Sequence, residues 1–98
     1  MKKLEDIIRK KGFIYTLVKR SGNVAIYEQQ MEGVTNSQTH YEVVVIGQHN
    51  GIKIADNYLP PSELYPSSSQ WGNTGWTYQS KAKAESKFAT LVKSSKKT

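Results

Sequence analysis

The hydrophobic residues of this chain recur with helical spacing near both ends and alternate as in strands between them. Near the N-terminus, Leu4, Ile7 and Ile8 stand at positions i, i+3 and i+4, which places them on one side of a helix. This spacing predicts a helix from Lys3 to Lys11, with acidic residues in its first turn and basic residues in its last, as the helix dipole favours. Gly12 then follows as the residue expected just past a helix end.

The middle of the chain is dense in β-branched and aromatic residues and predicts strands. Residues 13–19 and 24–31 flank turn-forming residues and predict a hairpin. Residues 39–47 predict a further strand, and within it residues 41–46 are apolar at nearly every step, which indicates a central strand covered on both faces. Asn50-Gly51 is the strongest two-residue hairpin signal in the chain, and a further short strand follows it.

A second helical pattern closes the chain. It predicts a helix from Lys81 to Val92, with Ser80 as its N-cap. The apolar side chains of Ala84, Phe88, Leu91 and Val92 stand at positions i, i+4, i+7 and i+8. They form one stripe, which we expect to be buried against the sheet.

Together these elements predict an α+β fold in the order α-β-β-β-(β)-α. We expect a small, mainly antiparallel sheet of roughly three to five strands, with the N-terminal and C-terminal helices packed on one face. A chain of 98 residues has the length of one domain. We therefore expect a single domain over residues 1–93 and a flexible basic tail over residues 94–98. Residues 32–38 are polar and rich in turn formers, and predict a mobile loop.

Trp71 and Trp76 are the two tryptophans of the chain and lie close together in the sequence. Each indole has roughly 200 Å² of surface to bury, so we expect both rings to lie inside, as a plug between the sheet and the closing helix. If solvent reaches both rings, the aromatic cluster becomes a candidate ligand surface instead. Residues 67–70 have the spacing of a capping box and predict one helical turn just before the first tryptophan.

Several short motifs, taken together, resemble a known family. They are Tyr41-Glu42-Val43, Tyr65-Pro66-Ser67-Ser68, Trp71-Gly72, Gly75-Trp76-Thr77-Tyr78 and a helix with Ala84 and Lys87-Phe88. This set is similar to small uncharacterised proteins of bacteriophages and mobile elements, including phages of gut Bacteroidetes. The resemblance covers roughly residues 13–92. Because that family has no established activity, the resemblance implies a phage-related context and no mechanism.

The order of a helix, three strands and a closing helix is also similar to that of the double-stranded RNA-binding domain. Ser80-Lys81 followed by Ala84 resembles part of the basic motif that opens the second helix of that domain. The chain departs from that family by a long insertion before the closing helix, by a missing Gly-Pro-x-His loop, and by Ala82 in place of a lysine. This is a similarity of fold, and fold alone does not carry function.

The residue composition excludes several kinds of site. Because the chain has no cysteine, disulfides, thiolate nucleophiles and Cys-based metal sites are ruled out. The histidines are His40 and His49, one at the start of a strand and one in a turn. No carboxylates are paired at a spacing that would aim two acids at one substrate atom. We therefore expect a protein that is not an enzyme and that needs no metal or cofactor.

The N-terminal segment does not have the pattern of a secretion signal. Glu5 and Asp6 fall where the apolar stretch of a signal peptide would begin. The apolar runs elsewhere are too short to cross a bilayer. We therefore expect a cytoplasmic protein without membrane contact, in the host cytoplasm if a phage encodes it.

A surplus of basic residues suggests nucleic acid as a partner. Fourteen Lys and Arg against eight Asp and Glu give a net charge of +6, which favours polyanions. Lys81 and Lys83 lie in the first turn of the closing helix, where cations oppose the helix dipole. We predict that they contact phosphate groups together with Lys87 and Lys53. The alternative is that these lysines only keep the surface soluble.

A protein partner is the second hypothesis. Tyr58 and Leu59 precede two prolines, and Tyr65 precedes a third. Aromatic side chains on an extended, exposed segment are typical anchors of protein interfaces. We therefore predict, as an alternative function, a module that binds a host or virion protein through Tyr58, Leu59 and Tyr65. The competing interpretation is that these side chains merely cover the sheet.

Overall fold

A computed structural model describes residues 2–33 and 38–95. Residues 34–37 of the predicted mobile loop and residues 96–98 of the predicted tail lie outside this part. The elements are β1 (Ile7–Lys10), β2 (Phe13–Ser21), β3 (Val24–Met31), β4 (His40–Val45), β5 (Gly47–His49), β6 (Ile52–Ile54), β7 (Asn57–Leu59), β8 (Ser62–Leu64), a 3₁₀ turn (Ser68–Gln70), β9 (Gly75–Tyr78) and α1 (Lys81–Ser95).

A five-stranded antiparallel sheet in the order β1-β2-β3-β4-β9 forms the centre of the fold. β4 lies in its interior, and its residues 42–44 are buried on both faces, as the apolar run predicts. A bulge between Leu17 and Lys19 shifts the register of β2 against β3. Because a bulge adds one residue to one strand, Lys19 changes to the face that Ile26 occupies.

The predicted N-terminal helix is wrong, because residues 7–10 form strand β1. β1 pairs antiparallel with β2, and its side chains alternate between exposed and partly buried. Ile7, which the helix would bury, is 49% exposed. Lys11 and Gly12 have positive φ angles of 52° and 81°, the conformation of a two-residue hairpin turn. Gly12 thus reverses a strand. Pairing with β2 stabilises residues 7–10 as a strand, whereas a helix this short is marginal on its own.

The arrangement of both helices on one face of the sheet is therefore wrong as well. α1 is present from Lys81 on to Ser95, and it covers that face without a second helix among the described residues. Its buried Ala84 and Phe88 join one apolar cluster with Val24, Ile26 and Val43 of the sheet. The mixed content of sheet and helix is compatible with the α+β class, but strands predominate.

Irregular segments cover the opposite face of the sheet. Its buried cluster consists of Tyr15, Ala25, Tyr27, Val44 and Ile46. The partly buried side chains packed on it from outside the sheet are those of Leu4, Tyr65 and Trp71. The hydroxyl group of Tyr27 also donates a 2.8 Å hydrogen bond to the carbonyl oxygen of Glu5. This face is therefore closed by side chains from loops, and by more aromatic ones than the face under α1.

The two tryptophans do not form a common plug, so that prediction is wrong. Trp76 stands opposite Val43 in the β4–β9 register and shares the face covered by α1. Trp71 packs against the cluster on the other face. Both indoles are partly buried. The sheet itself separates the two rings.

A two-part hairpin, which we call the arm (residues 47–64), extends the chain after β4. β5 pairs with β8, and β6 pairs with β7. The arm is fixed to the rest of the fold through Glu63. Its carboxylate accepts hydrogen bonds of 2.8 and 2.6 Å from the guanidinium group of Arg20, and one of 2.8 Å from the backbone N–H of Leu4.

The described residues contain no helix that is both long and apolar enough to cross a membrane.

The junction at Glu63 gives a prediction for stability in acid. The hydrogen bonds from Arg20, followed by that from Leu4, lower the pKa of Glu63 from 4.5 to about 2. A carboxyl whose pKa is lower in the folded state stabilises the fold above its unfolded pKa and loses this contribution as the pH falls. We expect Glu63→Gln to lower the free energy of unfolding at neutral pH and to flatten its decline between pH 4.5 and about 2.

Urea unfolding measured across this pH range checks the prediction. Glu32→Gln is the matched control, because Glu32 pairs with Arg9 at 3.9 Å between side chains that are more than half exposed, and such pairs contribute little. The control should keep the acid-dependent loss of the wild type. An equally steep loss in Glu63→Gln would refute the role of this junction.

Candidate functional site

The lysines of α1 do not lie on one side of the helix. Lys83 and Lys87 are four residues apart and therefore neighbours on the helix surface. Lys87 reaches towards β9, where its ammonium nitrogen lies 4.2 Å from the centroid of the Trp76 ring. Lys81 is instead four residues from Glu85, on another stripe of the helix. We call Lys83, Lys87 and Trp76 the basic surface.

The acidic residue of α1 lies away from the basic surface. Glu85 forms a 3.1 Å salt bridge with Lys19 of β2, and the Lys19 ammonium also lies 5.3 Å from the centroid of the Phe88 ring. The bulge in β2 is what turns Lys19 towards α1. As a result, the one carboxylate of this helix is neutralised on the β2 side. The positive charge on the β9 side keeps its full effect.

The first turn of α1 carries exposed cations and no acid. The hydroxyl oxygen of Ser80 accepts a hydrogen bond of 3.4 Å from the backbone N–H of Lys83, in the position of the predicted N-cap. Lys81 and Lys83 are both exposed there. Cations at this end of a helix cost a few tenths of a kcal/mol each.

The arm carries the other predicted contact residues except Tyr65. Lys53 is exposed and stands opposite Tyr58 in the β6–β7 register. The exposed fractions of Tyr58 and Leu59 are 63% and 45%, and Leu64 on β8 is 44% exposed. The arm therefore presents apolar side chains to solvent. Lys53 lies in the β6–β7 sheet, which is separate from the sheet that α1 covers, and it is not part of the basic surface.

Tyr65 does not have the exposed position that its predicted role as an anchor of a protein interface requires. Its ring packs edge-on against Tyr27, with the centroids 5.3 Å apart, and lies 5.8 Å from the centroid of Tyr15. Its hydroxyl donates a 2.5 Å hydrogen bond to the carboxyl group of Glu42. Tyr65 thus covers the sheet, which is the competing interpretation given above.

A pocket opens beside Tyr65 on the sheet face away from α1. Its volume is about 520 Å³, and apolar atoms form most of its lining. We call it the aromatic pocket. The lining residues are Lys10, Lys11, Tyr15, Glu42, Tyr65, Pro66, Ser67 and Trp71. Residues far apart in the sequence thus converge on the pocket. They come from the end of β1 and the turn after it, from β2, from β4 and from the segment that follows the arm.

Glu42 is the buried acid of this pocket, with 7% of its surface exposed. Burial raises the pKa of its carboxyl group, while the hydrogen bond from Tyr65 and the charge of Lys10 act in the opposite direction. The same burial, together with the neighbouring Glu42, raises the pKa of the Tyr65 hydroxyl. Tyr65 therefore remains a neutral donor, and the carboxyl of Glu42 keeps its proton at a higher pH than an exposed glutamate.

Lys10 brings a positive charge to the same pocket. Its ammonium nitrogen lies 4.0 Å from the centroid of Tyr65 and 5.1 Å from that of Tyr15. Burial lowers the pKa of Lys10, while Glu42 acts to raise it. Lys11, the next residue, is exposed in the turn. The pocket thus has a cation within its aromatic wall and a second one at its rim.

Trp71 forms one wall of the pocket because Gly75 has no side chain. A Cβ at Gly75 would lie 2.5 Å from the indole ring of Trp71, closer than any real contact. The indole N–H donates a 2.8 Å hydrogen bond to the hydroxyl of Thr77. Glycine at this position therefore lets the chain fold back on itself and lay the indole along β9.

The aromatic pocket does not follow from the local sequence pattern. That pattern places Lys10 and Lys11 in the last turn of a helix and pairs Glu42 with no other functional residue. The available signal was Glu42 itself, a single carboxylate inside the apolar run of residues 41–46. A buried carboxylate needs a donor, but the sequence does not indicate that Tyr65 supplies it.

No protein-family model matches this chain, and searches of curated proteins and of solved structures also find no match. The resemblance to bacteriophage proteins and the similarity to double-stranded RNA-binding domains therefore stay predictions.

The bond between Tyr65 and Glu42 gives a second prediction. Because the tyrosine hydroxyl lowers the pKa of Glu42, we expect Tyr65→Phe to raise that pKa further. A carboxyl whose pKa is raised in the folded state costs stability as the pH rises through that pKa. Tyr65→Phe should therefore also cost about 1–3 kcal/mol at neutral pH, since it leaves a buried acceptor without its donor.

Carboxyl ¹³C NMR titration gives the pKa of Glu42, and urea unfolding gives the stability. Glu42→Gln should remove the loss of stability that accompanies this ionisation. Tyr58→Phe serves as the control, because Tyr58 is 63% exposed and should change neither quantity. An unchanged Glu42 pKa in Tyr65→Phe would contradict the assigned hydrogen bond.

Proposed function

We propose that the protein is a small non-enzymatic binding module that contacts nucleic acid through the basic surface. The observation that carries this proposal is the unequal distribution of charge between the two flanks of α1. Lys83 and Lys87 share the flank next to Trp76, while Glu85 is paired with Lys19 on the other flank. The lysines are therefore available to phosphate groups without competition from Glu85.

The charge and chemistry of this surface suit a phosphate backbone. A net charge of +6 attracts polyanions over a distance of about one Debye length, roughly 8 Å in physiological salt. An ammonium group has three donors, so Lys87 can keep its contact with the Trp76 ring and still bind a phosphate oxygen. Lys81 and Lys53 are exposed and add to the attraction. The expected compartment is the cytoplasm.

Salt dependence of binding tests this function. We expect the wild type to bind a short mixed-sequence DNA duplex, or the matching RNA duplex, with an affinity that falls steeply as salt rises. Each lysine–phosphate contact contributes close to one unit to the slope of log K against log salt. Lys83→Ala/Lys87→Ala should therefore reduce the slope by about two, which fluorescence anisotropy measures.

The matched control is Lys2→Ala/Lys93→Ala, which removes the same charge from exposed positions outside the basic surface. It should lower the slope much less. Absence of binding at low salt, or equal effects of the two double variants, would show that the lysines of α1 are exposed residues without a specific role in binding.

The exposed arm favours a second candidate function, binding of a host or virion protein. Tyr58 and Leu59 extend from β7, and residues 55–60 are all exposed. Exposed aromatic and aliphatic side chains on one segment are typical of interface anchors. Since Tyr65 lies in the sheet cover, Leu64 takes its place among the candidate anchors, at 44% exposure.

The two candidate functions separate in a pull-down from nuclease-treated host lysate. If the arm binds a protein, the Tyr58→Ser/Leu59→Ser variant should no longer capture that partner. The Lys83→Ala/Lys87→Ala variant should still capture it. Direct binding of the purified partner, with the same pattern among the variants, completes the test. Retention of the partner by the arm variant would exclude this role for Tyr58 and Leu59.

A further inference from the structure

The aromatic pocket lies on the opposite face of the sheet from the basic surface, and neither candidate function uses it. Its volume of about 520 Å³ falls within the range of small-ligand sites, roughly 300–1,000 Å³. Such sites combine apolar walls with a few polar groups that orient the ligand. Here the polar groups are the carboxyl of Glu42 and the ammonium groups of Lys10 and Lys11.

We propose that the aromatic pocket binds a nucleotide, with the base against Trp71 and the phosphate at Lys10 and Lys11. The ligand chemistry is a planar heteroaromatic ring that carries a phosphate group. Two sources share this chemistry, a free nucleotide and one unit of a single-stranded nucleic acid.

The walls of the pocket suit a nucleobase. Trp71 is held along β9 by its bond to Thr77, and Tyr65 is held by its bond to Glu42, so both rings are fixed before a ligand arrives. Stacking of a base on an aromatic side chain is sequence-tolerant and favourable. Rings that are already immobilised lose little further entropy on binding.

The carboxyl of Glu42 suits the polar edge of a base. Tyr65 occupies one of its oxygens, and Glu42 lines the pocket with the small part of its surface that stays exposed. A carboxylate accepts hydrogen bonds from the exocyclic amine of a base, and a protonated carboxyl can also donate. Either protonation state of Glu42 therefore has a complementary group on a nucleobase.

The lysines suit the phosphate. Lys11 is exposed at the rim, in the turn that its positive φ of 52° creates. Lys10 is partly buried beside Tyr65, and burial disfavours its charge. An anion next to Lys10 would restore the favourable environment that burial removes. A phosphate at the mouth of the pocket therefore gains from both residues.

An organic cation is the competing ligand for aromatic rings beside a carboxylate. The ammonium of Lys10 already lies 4.0 Å from the centroid of Tyr65, however, and takes the place of such a guest. Lys11 adds a second positive charge at the rim. A bound cation would meet repulsion from both residues, so the charge of the pocket favours a ligand with a negative group.

NMR titration with adenosine 5′-monophosphate tests the proposal on the unmodified protein. The two indole N–H signals serve as an internal comparison, because Trp71 lies in the pocket and Trp76 on the other face of the sheet. A Trp76→Phe variant assigns them. We expect saturable shifts of the Trp71 signal and little change at Trp76, with weaker effects from adenosine or from inorganic phosphate alone.

Substitutions at the rim test the phosphate contact. Lys11→Gln, at an exposed position, and Lys10→Gln should each weaken the binding of the monophosphate about tenfold, as expected for loss of a charge-assisted hydrogen bond. Binding of adenosine should change much less. Lys83→Ala/Lys87→Ala should leave the titration unaltered, so this test is independent of nucleic-acid binding by the basic surface.

An oligoadenylate distinguishes the two sources of the ligand. In the Lys83→Ala/Lys87→Ala variant, with the Trp71 signal as the readout, tighter binding of the oligoadenylate than of the monophosphate and a steeper salt dependence assign the pocket to single-stranded nucleic acid. Equal or weaker binding assigns it to a free nucleotide. If neither ligand gives a saturable shift of the Trp71 signal at millimolar concentration, or if tetramethylammonium gives a larger one, the proposal is overturned.

Discussion

The carboxylate of Glu63 is the junction on which the loop-covered face of this fold depends. It accepts hydrogen bonds from the guanidinium of Arg20 and from the backbone N–H of Leu4, and so joins the arm, the end of β2 and the N-terminal segment. A partly buried ion pair stabilises a fold only when further hydrogen bonds satisfy it, and here the backbone supplies one. Together with the bond from Tyr27 to Glu5, this junction holds irregular segments against the sheet.

One helix can cover only one face of a sheet, and the two faces are closed in different ways. Under α1 the contacts are apolar, with Ala84 and Phe88 against the sheet. On the other face the cover includes the ring of Tyr65, whose hydroxyl group needs a partner when it is buried. Tyr65 finds its partner in Glu42. A buried carboxyl and an aromatic pocket thus arise from covering a sheet with loops.

The division between the faces also separates the candidate functions. Positive charge accumulates beside Trp76 because Lys19 neutralises Glu85 on the far flank of α1. The opposite face combines aromatic walls with two cations, Lys10 at the end of β1 and Lys11 in the turn that follows. A nucleic-acid module with both features would contact the backbone on one side and take up a nucleotide on the other. The arm, exposed at Tyr58, is a third surface of different chemistry.

The sequence by itself determined the elements with local signals, which are the central strands, the turn between β2 and β3, and α1 with its cap. The predicted hairpin turn at Asn50-Gly51 is wrong, because the strands before and after it pair with β8 and β7 and not with each other. Only the tertiary structure decided the rest. Residues 7–10 fit a helix or a strand by local spacing, and pairing with β2 made them a strand. Trp71 and Trp76 lie on opposite faces because the chain turns back between them, and Glu42 meets Tyr65 across 23 positions. Local spacing fixes which way a side chain points within one element, whereas contacts between distant segments depend on how the whole sheet is covered.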